Sequence, residues 1–178
     1  RSKDKAVGTK VKIAYQHNDQ DKIATAKVIK LPQTNRNGIG ITLTDRTTIK
    51  TKIPVKINAG DIGGPSAGMM FSLQVYEQLT HGNLRHGRKI AGTGTIAADG
   101  TVGAIGGIDK KVVAADHAGA KIFFAPNDQV TKAMKKADPD YVNNYHEALA
   151  AAKKINTKMK IVPVRKFADV INYLEAHR

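Results

Sequence analysis

The sequence predicts an α+β fold in which a mixed sheet with flanking helices is preceded by a β-hairpin. The first observation is that apolar and polar residues alternate in several short segments before residue 58, as they do in half-buried strands. The second is that apolar residues at helical spacing alternate with short apolar strands from residue 65 onward. Strands that come first, followed by alternating helices and strands, are typical of the α+β class.

The hairpin is the first predicted element. Residues 9–16 and 22–31 each alternate apolar and polar side chains, and the turn-forming residues 17–20 lie between them. Residues 32–38 are rich in turn formers and are the best candidate for a linker.

This linker divides the chain into residues 1–33, which hold the hairpin, and residues 34–178, which hold the main domain. Two further strands are predicted by alternation at residues 39–44 and 48–57. A chain of 178 residues, 41% of them hydrophobic, is long enough for one domain or for one domain and a fragment of a neighbour.

The first predicted helix follows a loop at residues 58–64. Pro65 suits the first helical position, because the N–H that proline lacks would have no partner there. His81 and Gly82 end the helix. Of the residues that recur at helical spacing between these ends, the two methionines are predicted to pack in the core. The recurring residues are Met69, Met70, Leu73, Tyr76 and Leu79.

The second half of the chain alternates strands and helices. Strands at residues 89–97 and 101–105 flank Asp99 and Gly100, which together are a strong signal for a hairpin turn. Asn127 is predicted to cap the helix that follows it. The other predicted elements are a helix at 108–117, a strand at 121–125, a helix at 145–154, a strand at 159–164 and a helix at 167–176.

The composition excludes several kinds of protein. There is no cysteine, which excludes disulfides, thiolate catalysis and cysteine-based metal sites. The histidines lack metal-ligand spacing, so no metal is predicted. The longest apolar run is shorter than the roughly 18 residues of a membrane span, and no signal-peptide pattern occurs. Because Arg1 is not a natural start, we expect a piece of a longer protein, with any membrane anchor upstream.

The charge is strongly positive, since 29 Lys and Arg against 15 Asp and Glu leave a net +14. Such a balance suits nucleic acid or an anionic surface. The lysines are spread along the chain, however, aromatic residues make up only 5%, and Trp is absent, so a base-stacking surface is poorly supplied. We therefore predict a solvated basic surface that faces an anionic cell envelope.

Ser66 is the candidate nucleophile. It lies in the first turn of the predicted first helix, directly after Gly63, Gly64 and Pro65. Glycines let the backbone approach a ligand closely, and the N–H groups at a helix start can stabilise an oxyanion. The alternative is that this loop simply begins a helix and that Ser66 caps it.

A serine hydroxyl needs a base, and the candidates are Lys110 and Lys111, which follow a glycine pair in the predicted second helix. Burial in an apolar pocket disfavours the charged form of lysine and lowers its pKa towards the range of a general base. Adjacent helical residues point about 100° apart, so only one of the two faces inward. The apolar positions of the helix favour Lys111 without settling the choice.

Three segments of the chain resemble the proteolytic domain of the Lon protease family. They are residues 61–68 (Asp-Ile-Gly-Gly-Pro-Ser-Ala-Gly), 90–96 (Ile-Ala-Gly-Thr-Gly-Thr-Ile) and 102–111 (Val-Gly-Ala-Ile-Gly-Gly-Ile-Asp-Lys-Lys). Their order and spacing match, and the likeness runs from about Gly38 to the C-terminus. The first two are most similar to the ATP-independent, membrane-anchored Lon-like proteases that carry a PDZ domain. The resemblance implies the family's fold, which is related to a ribosomal protein domain (ribosomal protein S5 domain 2-like).

The resemblance implies roles for individual residues. In the family, the serine of the Pro-Ser-Ala-Gly motif is the nucleophile and the second lysine of the later motif is the base, which correspond to Ser66 and Lys111. The strand threonine between them, here Thr93, is expected to hydrogen-bond that lysine and orient it. Gly64 and Pro65 complete the expected supporting residues.

The chain differs from ATP-dependent Lon proteases at two positions. Those proteins often have aspartate where this chain has Gly64 and an acidic residue where it has Thr95, and both differences fit the Lon-like branch. No Gly-x-x-x-x-Gly-Lys-Ser/Thr loop occurs, so neither ATP nor another cofactor is expected. The resemblance implies an ATP-independent serine endopeptidase with a Ser–Lys dyad, held in a bacterial cell membrane with this domain outside the cytoplasm.

The expected substrates are extracellular peptides, such as signal peptides or pheromones, or segments of membrane proteins. The hairpin at the start of the chain resembles the closing strands of a PDZ domain. Two alternatives stay open: a basic nucleic-acid-binding module, and a proteolytically silent fragment that needs the rest of its protein. The sequence predicts no oligomeric state.

Overall fold

The computed structural model of the protein describes residues 5–31, 36–41, 52–59, 64–137 and 139–177. The chain divides into two compact units, residues 1–52 and 53–178. Within the described ranges, no helix is both long enough and apolar enough to cross a lipid bilayer. Ser66, Thr93 and Lys111 all belong to the second unit.

The first unit contains a β-hairpin. Strand β1 (Lys10–His17) pairs antiparallel with β2 (Gln20–Lys27) in the region where the sequence predicts a hairpin. Asn18 and Asp19 turn the chain at φ values of 50° and 57°. Asparagine and aspartate tolerate this left-handed conformation better than most residues, which explains the tight two-residue turn. The assignment of this region to a PDZ domain stays a prediction.

A second strand pair follows the hairpin. Strand β3 (Ile29–Lys30) pairs antiparallel with β4 (Asn37–Gly38), and the Leu31 N–H donates to the Arg36 carbonyl at 2.8 Å. The predicted linker is therefore wrong for residues 37 and 38, while residues 32–35 lie outside the described residues. Turn formers are as common in the loop between two paired strands as in a linker, so composition alone does not separate the two.

The two strands predicted at residues 39–44 and 48–57 fall largely outside the described residues. Their described parts, 39–41 and 52–57, are not strands. Ile53, at 58% exposure, is an example of the alternating apolar residues that suggested a strand there. Alternating apolar and polar residues fit one face of a sheet, but the alternation does not specify which segment would pair with them as a neighbouring strand.

The sheet of the second unit is parallel. Strand β8 (Ile122–Pro126) lies between β5 (Ile90–Gly92) and β9 (Lys160–Val164). All five residues of β8 are buried, as is typical of a central parallel strand covered on both faces. A separate antiparallel pair joins β6 (Thr95–Ile96) to β7 (Val102–Gly103), so parallel and antiparallel pairings occur in different ladders of the described chain and not in one mixed sheet.

The strand predicted at residues 89–97 is broken between β5 and β6. The Gly94 N–H donates to the Ser66 carbonyl at 2.8 Å, and the Gly94 carbonyl accepts the Met69 N–H at 3.1 Å. Because both backbone groups of Gly94 bond to the start of the first helix, the chain leaves the parallel sheet at this point. The predicted continuous strand was therefore wrong, since its partner changes along its length.

Helices flank the sheet. A short 3-10 turn (Pro65–Ala67) leads into the first of them. The helices of the described residues are α1 (Gly68–Leu79), α2 (Ile108–His117), α3 (Lys132–Ala137), α4 (Asn144–Lys154) and α5 (Phe167–Ala176). Their bounds confirm the helices predicted at residues 108–117, 145–154 and 167–176 to within one residue.

The predicted cap at Asn127 was wrong. The Thr131 hydroxyl, and not Asn127, accepts a helical N–H at the start of α3, from Met134 at 3.2 Å. The Asn127 Oδ1 instead accepts from Asn143 Nδ2 at 2.9 Å. Asn127 precedes α3 in the sequence, but its side chain bonds to Asn143 at the start of α4.

The turn predicted at Asp99 and Gly100 connects β6 and β7. The Thr101 hydroxyl and N–H both donate to the Asp99 carboxylate, at 2.7 and 2.9 Å, and Lys166 lies 2.9 Å away. These hydrogen bonds, with Thr101 first and Lys166 after it, hold the pKa of Asp99 well below its ordinary value. The turn is thereby tied to the residue that precedes α5.

Two apolar cores lie on opposite faces of the sheet, because successive residues of β8 point to opposite sides. Phe124 belongs to the core that contains Met69 and Leu73 of α1 and Leu174 of α5. Phe123 belongs to the other core, which contains apolar residues of α2 and α4: Ile108, Val112, Ala148 and Ala152. The helix that begins near Ser66 and the helix that carries Lys111 therefore pack on different faces.

Replacing Phe124 with alanine is expected to lower the free energy of unfolding by about 3–5 kcal/mol, because the change leaves a cavity in a closely packed core. Phe124 is 0% exposed, and its ring meets that of Tyr173 edge-on at 5.7 Å. Urea denaturation followed by circular dichroism measures the loss. As a control, Val142→Ala, at a position that is 51% exposed, should change stability by no more than about 0.5 kcal/mol.

Candidate active site

The loop before Ser66 turns sharply into a helix. Gly64 precedes the 3-10 turn at φ 81°, a left-handed value at which most side chains are strained. Pro65 occupies the first position of that turn, as the sequence predicts. Ser66 is half-buried, while residues 60–63, which include Gly63, lie outside the described residues.

The backbone of Ser66 is held in place by the end of β5. Its carbonyl accepts two hydrogen bonds, from the Gly94 N–H at 2.8 Å and from the Thr93 hydroxyl at 2.9 Å. Two donors on one carbonyl fix the position of the peptide group that carries the serine. The described part of the loop is thus anchored through its main chain at Ser66.

The Ser66 hydroxyl does not cap the helix. The residues at the N-cap positions of the 3-10 turn and of α1 are Gly64 and Ala67, and neither start has a side-chain cap. In the part of the chain that the structure describes, the hydroxyl has no hydrogen-bonding partner. The interpretation of Ser66 as a capping residue is therefore wrong for the two helix starts that the structure describes.

Thr93 lies directly after β5 and is 3% exposed. Its N–H donates to the Phe124 carbonyl at 3.1 Å, so its backbone continues the pairing with β8. Its hydroxyl donates to the Ser66 carbonyl, whereas the expected bond to Lys111 is not among the hydrogen bonds of the described residues. The oxygen can still accept a hydrogen bond, and its expected role towards Lys111 stays a prediction.

Lys111 lies on α2, which begins after Gly107. Gly107 adopts φ 67° at the N-cap, and the Lys111 N–H donates to its carbonyl at 3.4 Å. Lys111 is half-buried, whereas Lys110 is exposed. Lys110 lines a groove between α2 and α4, beside Asp109 and Glu147. The pattern of burial therefore favours Lys111 over Lys110 as the lysine that turns towards the protein.

Ser66 and Lys111 lie near the starts of helices that both pack against β5. Met70 of α1 approaches one face of this strand, since a Cβ at Gly92 would lie 2.8 Å from its sulfur. Ala91 packs on the other face, against the core that contains α2. Among the described residues, no hydrogen bond joins the two candidate side chains. The structure thus connects Ser66 with Thr93 directly, and Lys111 only through the strands and helices between them.

Asn144 is a residue of this region that the sequence analysis missed. It is the first residue of α4 and is 4% exposed. Its Oδ1 accepts the Ile105 N–H at 2.7 Å, and its Nδ2 donates to the Ile105 carbonyl at 2.9 Å. Asn144 thus bonds to the residue directly before the glycine pair, but this partner is 39 residues away in sequence, so no local pattern indicates the contact.

The neighbouring Asn143 caps α4, since its Oδ1 accepts the His146 N–H at 3.0 Å. Its Nδ2 donates to Asn127 Oδ1 and to the Asp128 carbonyl, at 2.9 and 3.1 Å. Burial, followed by the hydrogen bond to Asp128, raises the pKa of the Tyr141 phenol beside this group. Two adjacent asparagines therefore bind different parts of the chain: one holds the end of β8 and the other holds the loop before α2.

One groove in the described part of the chain is lined by none of these residues. It has a volume of about 620 Å³ and is lined by basic side chains, among them Arg85, Arg88 and Lys89. Arg85 pairs with Glu77 at 2.8 Å, and Lys89 donates to the Ala118 carbonyl at 3.1 Å. These cations hold the protein's own groups. Across the described ranges, no cluster of three or more His, Asp or Glu residues is placed to bind a metal ion.

Comparison with known proteins points to one family. The family model for the Lon protease (S16) C-terminal proteolytic domain matches residues 20–175. The Lon protease of Koribacter versatilis is 31% identical over 137 residues, which are 71% of this chain and 17% of that protein. The Lon protease of Malacoplasma penetrans is 26% identical over 167 residues, 93% of this chain and 19% of that protein.

A shorter stretch is more similar. The Lon protease of Desulforamulus reducens is 45% identical over 65 residues, which are 36% of this chain and 8% of that protein. The chain thus spans less than a fifth of the length of these relatives. The likeness therefore concerns one domain of each of them.

Proposed function

Because this chain belongs to the Lon protease family, as its C-terminal proteolytic domain, we propose that it is an ATP-independent serine endopeptidase that works through a Ser–Lys dyad. The nucleophile is Ser66 and the base is Lys111. The observation that carries the proposal is the state of Ser66. Its backbone is anchored by two hydrogen bonds, while its hydroxyl has no partner among the described residues.

The reaction begins with attack of the Ser66 Oγ on the carbonyl carbon of a substrate peptide bond. The neutral amine of Lys111 takes the hydroxyl proton as the bond forms. The resulting ammonium returns a proton to the leaving nitrogen, and the C–N bond breaks to give an acyl-enzyme. A water molecule, deprotonated by the same amine, then attacks the ester and releases the second product.

The negative charge that develops on the substrate oxygen needs hydrogen-bond donors. The first N–H groups of a helix have no partner inside the helix and carry a partial positive charge. Ser66 and Ala67 supply such groups in the 3-10 turn that precedes α1. We assign the oxyanion site to this turn, where donors and nucleophile belong to the same short segment.

The support for Lys111 as the base comes from burial and placement. Lys111 is half-buried and Lys110 is exposed on the groove between α2 and α4. Thr93, whose hydroxyl can accept a hydrogen bond as well as donate one, is proposed to orient this amine.

The proposal extends to the setting of the reaction. The residues Gly64 and Thr95, which fit the ATP-independent Lon-like branch, support cleavage without ATP. The net charge of +14 suits a domain that works beside an anionic membrane surface. We propose that the domain lies outside the cytoplasm at the cell membrane. Its substrates there are extracellular peptides or segments of membrane proteins.

Incubation of the protein with a mixture of unstructured peptides tests the proposed activity. Mass spectrometry is expected to find internal cleavage in the absence of any nucleotide, and added ATP should not change the rate. The cut sites would also give the side-chain preference. Cleavage that requires ATP would contradict ATP independence. A protein that cleaves no peptide, either without nucleotide or with added ATP, would contradict the proposed peptidase activity.

Cleavage is expected to become faster from about pH 6 to about pH 9, because only the neutral amine of a lysine can accept the serine proton. The measurement is kcat/KM as a function of pH, with a peptide that has no side chain titrating in this range. A rate that falls towards alkaline pH would contradict an amine base and indicate a base of another type.

A further inference from the structure

We propose that Asn144 is a positioning residue: its side-chain amide holds the backbone of Ile105 and thereby sets where Lys111 stands relative to Ser66. The inference rests on the proposed function, since it takes Lys111 as the base. It assigns a part in the reaction to a residue that does not touch the reacting atoms. Four features of the structure support it.

The first feature is the geometry of the hydrogen bonds. Asn144 Oδ1 accepts the Ile105 N–H at 2.7 Å and Nδ2 donates to the Ile105 carbonyl at 2.9 Å. One amide therefore pairs both backbone groups of one residue, as a neighbouring strand would. Because Asn144 is 4% exposed, water does not compete freely for these bonds. The clamp fixes Ile105 more firmly than a single hydrogen bond could.

The second feature is the freedom of the chain that the clamp restrains. Ile105 is followed by Gly106 and Gly107, which are both exposed, and a Cβ at either glycine would meet no atom of the described residues within 4 Å. Glycines also have no side chain with which to pack against the rest of the protein. The start of α2 also lacks a side-chain cap. The amide of Asn144 thus holds the residue directly before two glycines, which have the widest choice of backbone conformations, and six residues before Lys111.

The third feature is that the start of α4, which carries Asn144, is connected to Ser66. The Asn144 N–H donates to a carboxylate oxygen of Asp128 at 3.4 Å, and Asp128 lies two residues after β8. The Phe124 carbonyl of β8 accepts the Thr93 N–H, and the Thr93 hydroxyl donates to the Ser66 carbonyl. Hydrogen bonds and one central strand therefore lead from the Ser66 backbone to α4, and Asn144 completes the connection to the lysine helix.

The fourth feature separates positioning from folding. Ile108 and Val112 are 0% exposed, so the body of α2 is held in the core without the help of Asn144. Loss of the clamp should release the residues before α2 and leave the helix folded. A misplacement of about 1 Å in a catalytic group can lower a rate by about 100-fold. The expected effect is therefore on kcat and not on the fold.

The test compares Asn144→Ala with Asn143→Ala in the full chain. The two asparagines are adjacent, buried and hydrogen-bonded, but only Asn144 bonds to Ile105. We expect Asn144→Ala to lower kcat for peptide cleavage by about 100-fold, with KM unchanged within about twofold. Amide hydrogen exchange at residues 105–107 should become faster in this variant. Asn143→Ala should keep kcat within about threefold, even though it loses a helix cap.

A second variant covers the case in which Asn144→Ala does not fold. Asn144→Asp has nearly the same volume and keeps the acceptor for the Ile105 N–H. It replaces the donor with an oxygen that faces the Ile105 carbonyl, at 2.9 Å from Nδ2 in the parent, and the Glu147 carboxylate, at 3.5 Å, so both of these contacts become repulsive. The same loss of kcat, with KM retained, is expected from it.

Three results would overturn the inference. Parent-like kcat in the Asn144 variants, despite faster exchange at residues 105–107, would show that the clamp does not serve the reaction. An equal loss of kcat in Asn143→Ala would indicate a general structural effect. A parent protein that cleaves no peptide would refute the proposed function itself, and the positioning role with it. The first two results leave the parent active, so the two kinds of failure are distinguishable.

Discussion

Replacing Ser66 with alanine is expected to lower the rate of peptide cleavage by roughly 10⁴- to 10⁶-fold, because the acyl-enzyme cannot form without the Oγ. The fold should be unaffected. The hydroxyl makes no hydrogen bond within the described residues, and the anchoring bonds go to the Ser66 carbonyl, which alanine retains. Steady-state cleavage of a peptide measures the first effect, and thermal unfolding followed by circular dichroism measures the second.

Ser72→Ala is the matched control for this experiment. Ser72 is also half-buried and lies within α1, one turn beyond the helix start. Its replacement should leave the rate within about twofold of the parent, since most substitutions away from the reacting groups change little. A Ser66→Ala protein that folds and still cleaves at the parent rate would exclude Ser66 as the nucleophile.

The second large effect is expected from Lys111→Met. Methionine has a similar length but no amine, so the serine loses its base and the rate should fall by about 10²- to 10⁴-fold. Lys110→Met is the matched control, because Lys110 is exposed on the neighbouring groove. It should stay within about threefold of the parent rate. The reverse result, loss in Lys110→Met alone, would assign the base to Lys110.

Much of the second unit could be predicted from sequence because its signals are local. Helix α2 follows from apolar positions at helical spacing, with Gly119 beyond its end at φ 78°. Strand β8 follows from a continuous apolar run. The break between β5 and β6 could not be predicted, since it depends on bonds from Gly94 to Ser66, 28 residues earlier in the chain.

The residues of the candidate site that belong to sequence motifs could be predicted from the sequence. The motifs indicate Ser66, Thr93 and Lys111, but they do not reveal that the Thr93 hydroxyl donates to the Ser66 carbonyl. Asn144 was missed for a physical reason. An Asn-Asn pair before a helix predicts one cap, which Asn143 supplies, and the partner of the second asparagine is a backbone segment 39 residues away.

The most direct test of the central claim is covalent labelling of the protein with a fluorophosphonate, a reagent that reacts much faster with an activated serine hydroxyl than with an ordinary one. Digestion and mass spectrometry then locate the adduct. The proposed dyad predicts one modified residue, Ser66, and labelling at least about 100-fold slower in Lys111→Met. An adduct on a different serine, or labelling of Ser66 at the parent rate without the Lys111 amine, would contradict it.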